Sequence, residues 1–215
     1  MAESGHDHEE WREVALKRGK REEEGESEQW SEPQQNLRLI VRDIEGARIS
    51  VLKPKGEWNR CVLIHAHGFR HETAEKLAEV DDPFWIELVS QGWAVAVTSY
   101  RRSGLIVRDA VKDINNVHNL VCNELGFPVW AMLDGRSMGG AVVVRIAEQP
   151  YCSRRYDGVL AIGAALLVKE RENDLPLSYS PSIPIVFLTN ITETGIIERY
   201  IDRVRRQQRL NDDIV

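Results

Sequence analysis

Long apolar runs, closely spaced cysteines and a secretory signal are all missing from this sequence. No run of apolar residues reaches the ~18 residues that a membrane-spanning helix needs, and the first residues lack a basic segment followed by an apolar one. The three cysteines, Cys61, Cys122 and Cys152, are odd in number and widely spaced, which excludes a disulfide framework and a zinc-ligand spacing. We therefore expect reduced thiols and a cytoplasmic protein.

A surplus of basic residues is missing as well. The net charge is −6, and residues 1–36 account for it with 11 acidic and 5 basic residues, while the other 23 acidic and 23 basic residues cancel. Nothing in this balance points to a nucleic acid or to an anionic membrane as partner. Residues 1–36 are also poor in apolar surface, which predicts a flexible acidic extension. His6 and His8 within it are too few ligands to fix a metal ion.

Residues 37–215 are predicted to form one α/β domain. LRLIVRDIEGARISVLKP alternates apolar and polar residues around Glu45-Gly46, which is typical of an antiparallel hairpin. Further on, dense apolar runs alternate with helical patterns, as in parallel strands that are buried on both faces. These predicted strands are RCVLIHAHGF, WAVAVTSY, VWAMLDG, DGVLAIGAAL and IPIVFLTN.

The helices between these strands have recognisable starts and stops. In DDPFWIELVSQG, Asp82 can cap the first turn and Gly92 can end the helix. Further helices are predicted at VRDAVKDINNVHNLVCNELGFP, with one apolar stripe, at MGGAVVVRIAEQP and at IIERYIDRVRRQQRL. The predicted fold is thus a mainly parallel sheet with helices on both faces and an N-terminal hairpin. Only about 16 residues, 168–183, separate the last two strands, so no large lid domain is expected.

Ser137 stands in the pattern Gly135-Arg136-Ser137-Met138-Gly139, where a predicted strand runs into a predicted helix. A serine between glycines at such a junction is typical of a nucleophile elbow, whose tight turn exposes the hydroxyl at the carboxyl edge of the sheet. The alternative is a tight strand-to-helix turn with an idle serine. The context favours the elbow.

A nucleophilic serine also needs two N–H donors for the oxyanion that forms on attack. The amide of Met138 adjoins Ser137 at a helix start, where N–H groups lack helical partners. HAHGF follows the first buried strand, and there Gly68 permits a close approach while the Phe69 amide is the second candidate donor. The alternative is that this segment is a buried strand end whose histidines only bond the backbone.

These two segments together resemble the α/β-hydrolase superfamily. HGF follows one strand and GRSMGG comes two strand–helix units later, and the resemblance extends over residues 37–208. It implies that Ser137 is the nucleophile, that the amides of Phe69 and Met138 form the oxyanion hole, and that no cofactor is needed. It also implies a catalytic triad in the chain order serine, acid, histidine.

The acid of such a triad usually follows one of the strands after the elbow. Glu193, shortly after IPIVFLTN, stands at a suitable position. The alternative is that Glu193 only complements the N-terminal end of the last helix, which favours a carboxylate. Asp134 precedes the elbow and is expected to fix its turn.

The histidine departs from the pattern, because the last of the six histidines is His118 and none follows Ser137. A final strand and helix are missing too. We expect that the sequence continues past Val215 into a strand and a histidine. The alternatives are a catalytically inactive relative and an upstream histidine as base, for which His71 is nearest to the expected site.

Ligands of α/β folds bind at the edge of the sheet where the strands end. His71 and four arginines follow predicted strands at this edge, namely Arg70, Arg101, Arg102 and Arg136. Because arginine suits carboxylates, they predict a small ester substrate with an anionic group near the ester. The alternative is that they pair with Glu72, Glu75, Asp81 and Asp109. The sequence predicts a serine esterase, with an inactive binding or interaction protein as the alternative.

Overall fold

The computed structural model describes residues 36–73, 78–170 and 173–212. The acidic extension predicted for residues 1–36 therefore lies outside the described residues, apart from Asn36. The strands are β1 (Leu37–Ile44), β2 (Ala47–Pro54), β3 (Cys61–Ala66), β4 (Ala94–Thr98), β5 (Trp130–Arg136), β6 (Gly158–Ile162), β7 (Lys169–Glu170), β8 (Asn173–Asp174) and β9 (Ile185–Leu188). The helices are α1 (Pro83–Ser90), α2 (Val107–Leu125), α3 (Met138–Ala147) and α4 (Thr194–Asp212), with a 3-10 turn at Cys152–Arg154.

Within the described residues, seven strands form one sheet in the order β1-β2-β4-β3-β5-β6-β9. The predicted hairpin is confirmed: β1 pairs antiparallel with β2, and Glu45 and Gly46 both have positive φ, as the tight turn between twisted strands requires. β2 pairs antiparallel with β4, and all later pairings in this sheet are parallel. The mainly parallel α/β fold is therefore confirmed. Its parallel strands end at one edge, where Ser137 follows β5.

The two faces of the sheet are covered unequally. The main core lies between one face and α2, α3 and α4, and it includes the apolar stripe predicted for α2, namely Ala110, Ile114, Val117 and Val121. On the other face α1 covers a smaller core of Leu52, Leu63, Val89 and Val95. Helix α1 begins as predicted, because the side chain of Asp82 accepts a hydrogen bond from the Phe84 amide. None of the helices in the described residues is both long and apolar enough to cross a membrane.

The α1 side of the sheet stays open over its last strands. Trp130 of β5 and Val186 and Leu188 of β9 are 56%, 61% and 59% exposed. Strand register places Val186 opposite Leu160 and Leu188 opposite Ile162 on this face. Parallel sheets are usually covered on both faces, so this open area is an unusual feature of the described residues.

The segment KERENDLPLSYSPS, residues 169–182, lies between the last two predicted strands and contains two short strands of its own. It begins with β7 and β8, which pair antiparallel with Glu170 opposite Asn173. Strands of two residues are too short to show an alternating pattern, so the sequence could not indicate them. No large lid domain occurs within the described residues.

Candidate active site

Ser137 lies on a strained turn between β5 and α3. Its backbone angles are φ 54° and ψ −116°, a conformation that L-residues other than glycine rarely adopt. Three hydrogen bonds hold the turn: the Ser137 amide donates to Ile162 O at 2.9 Å, and Ser137 O accepts from Ala165 N at 3.0 Å and from Ala141 N at 3.2 Å. The residue is nevertheless exposed. This geometry matches the predicted elbow.

The glycines of the elbow allow the strand and the helix to approach closely. A Cβ atom on Gly139 would overlap the carbonyl oxygen of Ala66 and lie 2.6 Å from its carbonyl carbon. A Cβ on Gly140 would lie 2.8 Å from Cα of Ala164, and one on Gly135 would lie 2.9 Å from the amide nitrogen of Gly140. These obstacles are backbone atoms, which cannot rotate away. Any side chain at these positions would push α3 away from β3 and β5.

The segment HGF lies against the same turn. A Cβ on Gly68 would be 3.6 Å from Cβ of Ser137 and 3.3 Å from the carbonyl oxygen of Arg136. Met138 is the first residue of α3, and its amide belongs to the turn whose N–H groups lack helical acceptors. Gly68, next to Phe69 in the chain, thus lies against the turn that carries Ser137 and Met138, and the oxyanion hole formed by the amides of Phe69 and Met138 stays a prediction. The Phe69 side chain is 54% exposed.

His67, the first residue of this segment, is partly buried and in its neutral form. Its Nδ1 donates to Gly68 O at 2.6 Å, and its ring stacks on that of Tyr100 with 4.0 Å between centroids. Burial, reinforced by the positive charge of Arg70, lowers the pKa of His67 to about 4. Its Nε2 is buried without a hydrogen-bond partner within the described residues.

Acidification is expected to destabilise the fold through His67. In the unfolded chain the imidazole takes up a proton near pH 6.5, whereas in the folded protein it stays neutral down to about pH 4. The unfolded state therefore binds more protons in this window, and stability falls as the pH falls. Between pH 7 and pH 4.5 the protein should lose about 2 kcal/mol more than the variant His67→Asn. Asparagine keeps a donor near the Nδ1 position but does not titrate, and equal losses in urea unfolding would contradict the prediction.

Asp134 does not bond the turn that it was expected to fix. Its Oδ2 accepts from Nδ1 of His65 at 2.9 Å, across the pair of strands β3 and β5, and both side chains are about nine-tenths buried. The His65 ring packs on Trp85 of α1, with centroids 4.9 Å apart. The second carboxylate oxygen of Asp134 is buried without a partner within the described residues. Sequence reasoning missed this pair because it depends on the register of strands far apart in the chain.

Glu193 lies at the same edge of the sheet, between β9 and α4. Gly163 follows β6 directly, and a Cβ atom built on it would lie 3.6 Å from Oε2 of Glu193. The last residue of β6, Ile162, is the one whose carbonyl oxygen accepts from the Ser137 amide. The side chain of Asn190 shapes this turn, because its Oδ1 accepts from the amides of Thr192 and Glu193. Both predicted roles of Glu193, triad acid and partner of the α4 N-terminus, fit this position.

Arg101 and Arg102 already have carboxylate partners. Arg101 binds the fully buried Asp113 through Nε and Nη2, at 2.9 and 2.7 Å, and reaches Glu45 at 2.8 Å. Arg102 binds Asp109 at 2.6 Å, as the alternative expectation held, and lies 3.6 Å from Glu170. These two arginines fix the loop after β4, and their charges are neutralised.

The other predicted binding residues differ in setting. Arg70 is half-buried, and burial lowers its pKa while Glu79 raises it. His71 is exposed, with Nδ1 2.9 Å from Oγ1 of Thr73 in its own loop. Arg136, at the end of β5, is exposed, and no ion pair or hydrogen bond engages its side chain within the described residues. Glu75, one of the proposed acidic partners, lies outside them.

Sheet order, elbow and surrounding helices together define the α/β-hydrolase fold. The structure of this chain is similar to that of the α/β-hydrolase enzyme MGS-M1 from a Medee basin deep-sea metagenome library. The TM-score is 0.56, with 13% sequence identity over 80% of this chain and 78% of that one. The structure is also similar to that of the Pyrococcus furiosus esterase Pf2001, with a TM-score of 0.55 and 14% identity over 82% of each chain. At such identities the likeness establishes the fold.

The chain spans only 43% of the length of another similar structure, the bacterial brefeldin A esterase, with 19% identity, a TM-score of 0.49 and 65% of this chain covered. No protein-family model and no curated protein sequence matches the chain.

Proposed function

We propose that the protein is a serine hydrolase that cleaves a small carboxylic ester through an acyl-enzyme on Ser137. The observation that carries the proposal is the strained, exposed conformation of Ser137 at the carboxyl edge of the sheet, since strained backbone clusters at functional sites. Ser137 Oγ attacks the ester carbonyl carbon, and the amides of Phe69 and Met138 stabilise the oxyanion. The alcohol leaves with a proton, and water then releases the acid from Ser137. We further propose that the enzyme is cytoplasmic, because three widely spaced cysteines are typical of reduced thiols.

The proton transfers need a base, and no described histidine bonds Ser137. His65 is bound to Asp134, His67 to Gly68 and His71 to Thr73. His118 is buried in α2, 3.7 Å from the Cys122 thiol. We therefore propose that the base is a histidine outside the described residues, and that Glu193 orients it. Without such a base the hydroxyl stays protonated and reacts poorly.

Labelling with a fluorophosphonate, followed by intact mass and peptide mapping, tests the proposal. The chain of 215 residues should be labelled slowly at Ser137 and faster in added imidazole, which can act as a base in solution. The variant Ser137→Ala should take up no label under either condition. Labelling at another residue, or none with imidazole present, would favour the second candidate, a binding protein that keeps the elbow. That candidate rests on the absence of a histidine bonded to Ser137 within the described residues.

The proposed substrate carries an anionic group, and Arg136 is the residue best placed to bind it. Reversal of its charge in Arg136→Glu is expected to slow acylation by an anionic ester by about tenfold more than acylation by its neutral counterpart, as the loss of one charge-assisted contact implies. Competition of each ester against fluorophosphonate labelling, with imidazole present, measures this ratio. Arg206→Glu, an exposed arginine of α4, is the matched control and should change neither rate. Equal changes with both esters in Arg136→Glu would argue against an anionic substrate.

A further inference from the structure

A polar cleft lies on the side of the domain, past the end of α3 that is remote from Ser137. It encloses about 420 Å³ between α2 and the segment that follows α3. Helix α3 has ten residues, so the cleft lies about 15 Å from the elbow at a rise of 1.5 Å per residue. We call it the Arg155 cleft; its polar lining consists chiefly of Lys112, Asn115, Asn119, Gln149, Tyr151 and Arg155.

The charge of the Arg155 cleft is positive and unbalanced. Lys112 and Arg155 line it, no carboxylate does, and neither cation forms an ion pair within the described residues. The acids that adjoin the lining in sequence are bonded elsewhere. Asp113 binds Arg101, Glu148 accepts from the amides of Ser178 and Tyr179, and Asp157 accepts from the amide of Ala131.

The charge of Arg155 also acts on the groups buried behind the cleft. Burial is the largest influence on the pKa values of His118, Cys122, Cys152 and Tyr156, and in each case the charge of Arg155 acts to lower the pKa. These four groups thus experience the positive potential of Arg155. An anion in the cleft would experience the same potential as attraction.

Hydrogen bonds fix the polar side chains of the cleft in place. The Tyr156 hydroxyl donates to Asn115 Oδ1 at 3.0 Å, and Asn115 Nδ2 donates to Gln149 Oε1 at 3.2 Å. Arg155, which also lines the cleft, donates from Nη1 to Asn119 Oδ1 at 3.2 Å. The side chains are thereby oriented before a ligand arrives, which reduces the entropic cost of binding.

We propose that the Arg155 cleft binds a small organic phosphate. The phosphate contacts Lys112 and Arg155, because a phosphate monoester carries about −1.5 to −2 charges at neutral pH and so matches two cations. The hydroxyl-bearing part of the ligand lies against the carboxamides of Asn115 and Gln149, which offer both donors and acceptors. The site does not depend on Ser137 or on the proposed hydrolase activity.

Isothermal titration calorimetry with ribose 5-phosphate, ribose and inorganic phosphate tests the proposal on the full chain. The protein should bind ribose 5-phosphate, should not bind ribose, and should bind inorganic phosphate at least about tenfold more weakly. Lys112→Ala, an exposed position, and Arg155→Ala should each weaken binding of ribose 5-phosphate by at least about tenfold. Arg206→Ala on α4 is the control and should bind like the parent protein.

Three results would overturn the proposal. The first is no heat of binding with ribose 5-phosphate at concentrations up to about 10 mM, because a dissociation constant above that value is too weak for a specific site. The second is equal affinity for inorganic phosphate, which would mean that the carboxamides take no part. The third is unchanged affinity in Lys112→Ala, whose exposed side chain can be removed without disturbing the fold.

Discussion

Replacing Gly139 by alanine is expected to destabilise the domain by at least about 4 kcal/mol, which is in the range reserved for severe core defects. The added Cβ would overlap the carbonyl of Ala66 and lie 2.8 Å from that of His67. Both obstacles are backbone, so relief requires that α3 move away from β3. That movement opens the main core and breaks the contact between the elbow and the segment HGF. Urea unfolding followed by circular dichroism measures the loss.

Gly56→Ala is the matched control for this experiment. A Cβ at Gly56 meets no atom within 4 Å, and its φ is not positive. The same chemical change there should alter the free energy of unfolding by no more than about 0.5 kcal/mol. If the free energy of unfolding of Gly139→Ala were within about 1 kcal/mol of that of the parent protein, the close approach of α3 to β3 would be wrong.

Replacing Ser137 by glycine is expected to abolish labelling and to make the protein more stable. Glycine adopts the observed φ of 54° readily, whereas a non-glycine residue held in such a conformation costs about 1–3 kcal/mol. After the entropic cost of glycine, the net gain should be about 1 kcal/mol in urea unfolding. The loss of the nucleophile should reduce ester cleavage in added imidazole to the rate of imidazole alone.

Ser137→Ala separates the two effects. Alanine removes the hydroxyl but retains Cβ, so it should abolish labelling while leaving stability close to that of the parent protein. A glycine variant less stable than the alanine variant would show that the turn is not strained. Residual labelling in both variants would show that another residue is the nucleophile.

Most of the fold could be predicted because it rests on local patterns. The hairpin follows from alternation around Glu45-Gly46, the start of α1 from the cap at Asp82, and the buried face of α2 from a helical stripe. The elbow is local too, since Gly135 and Gly139 flank Ser137 within five residues. Each of these features depends on neighbours in the sequence.

Apart from the pair of Arg102 and Asp109, which the sequence offered as an alternative, the partners of the charged residues could not be predicted, because they depend on tertiary contacts. Arg101 meets Asp113 from α2 and Glu45 from the hairpin, so three elements converge on one guanidinium. The pair of His65 and Asp134 joins residues 69 positions apart and requires the register of two strands. A sequence shows which charges exist, whereas only the packed fold shows which of them are already paired.

The close contacts of the elbow glycines have a genetic consequence. Every single-nucleotide change that alters the meaning of a glycine codon yields either a stop codon or a residue that carries a Cβ atom. At Gly135, Gly139 and Gly140 that Cβ would collide with backbone atoms of a neighbouring segment. We therefore expect no neutral amino-acid replacement by a single nucleotide change at these three codons. In a library of all single substitutions selected for folded protein, we expect these codons to be depleted of every replacement, while that of Gly56 tolerates most of them.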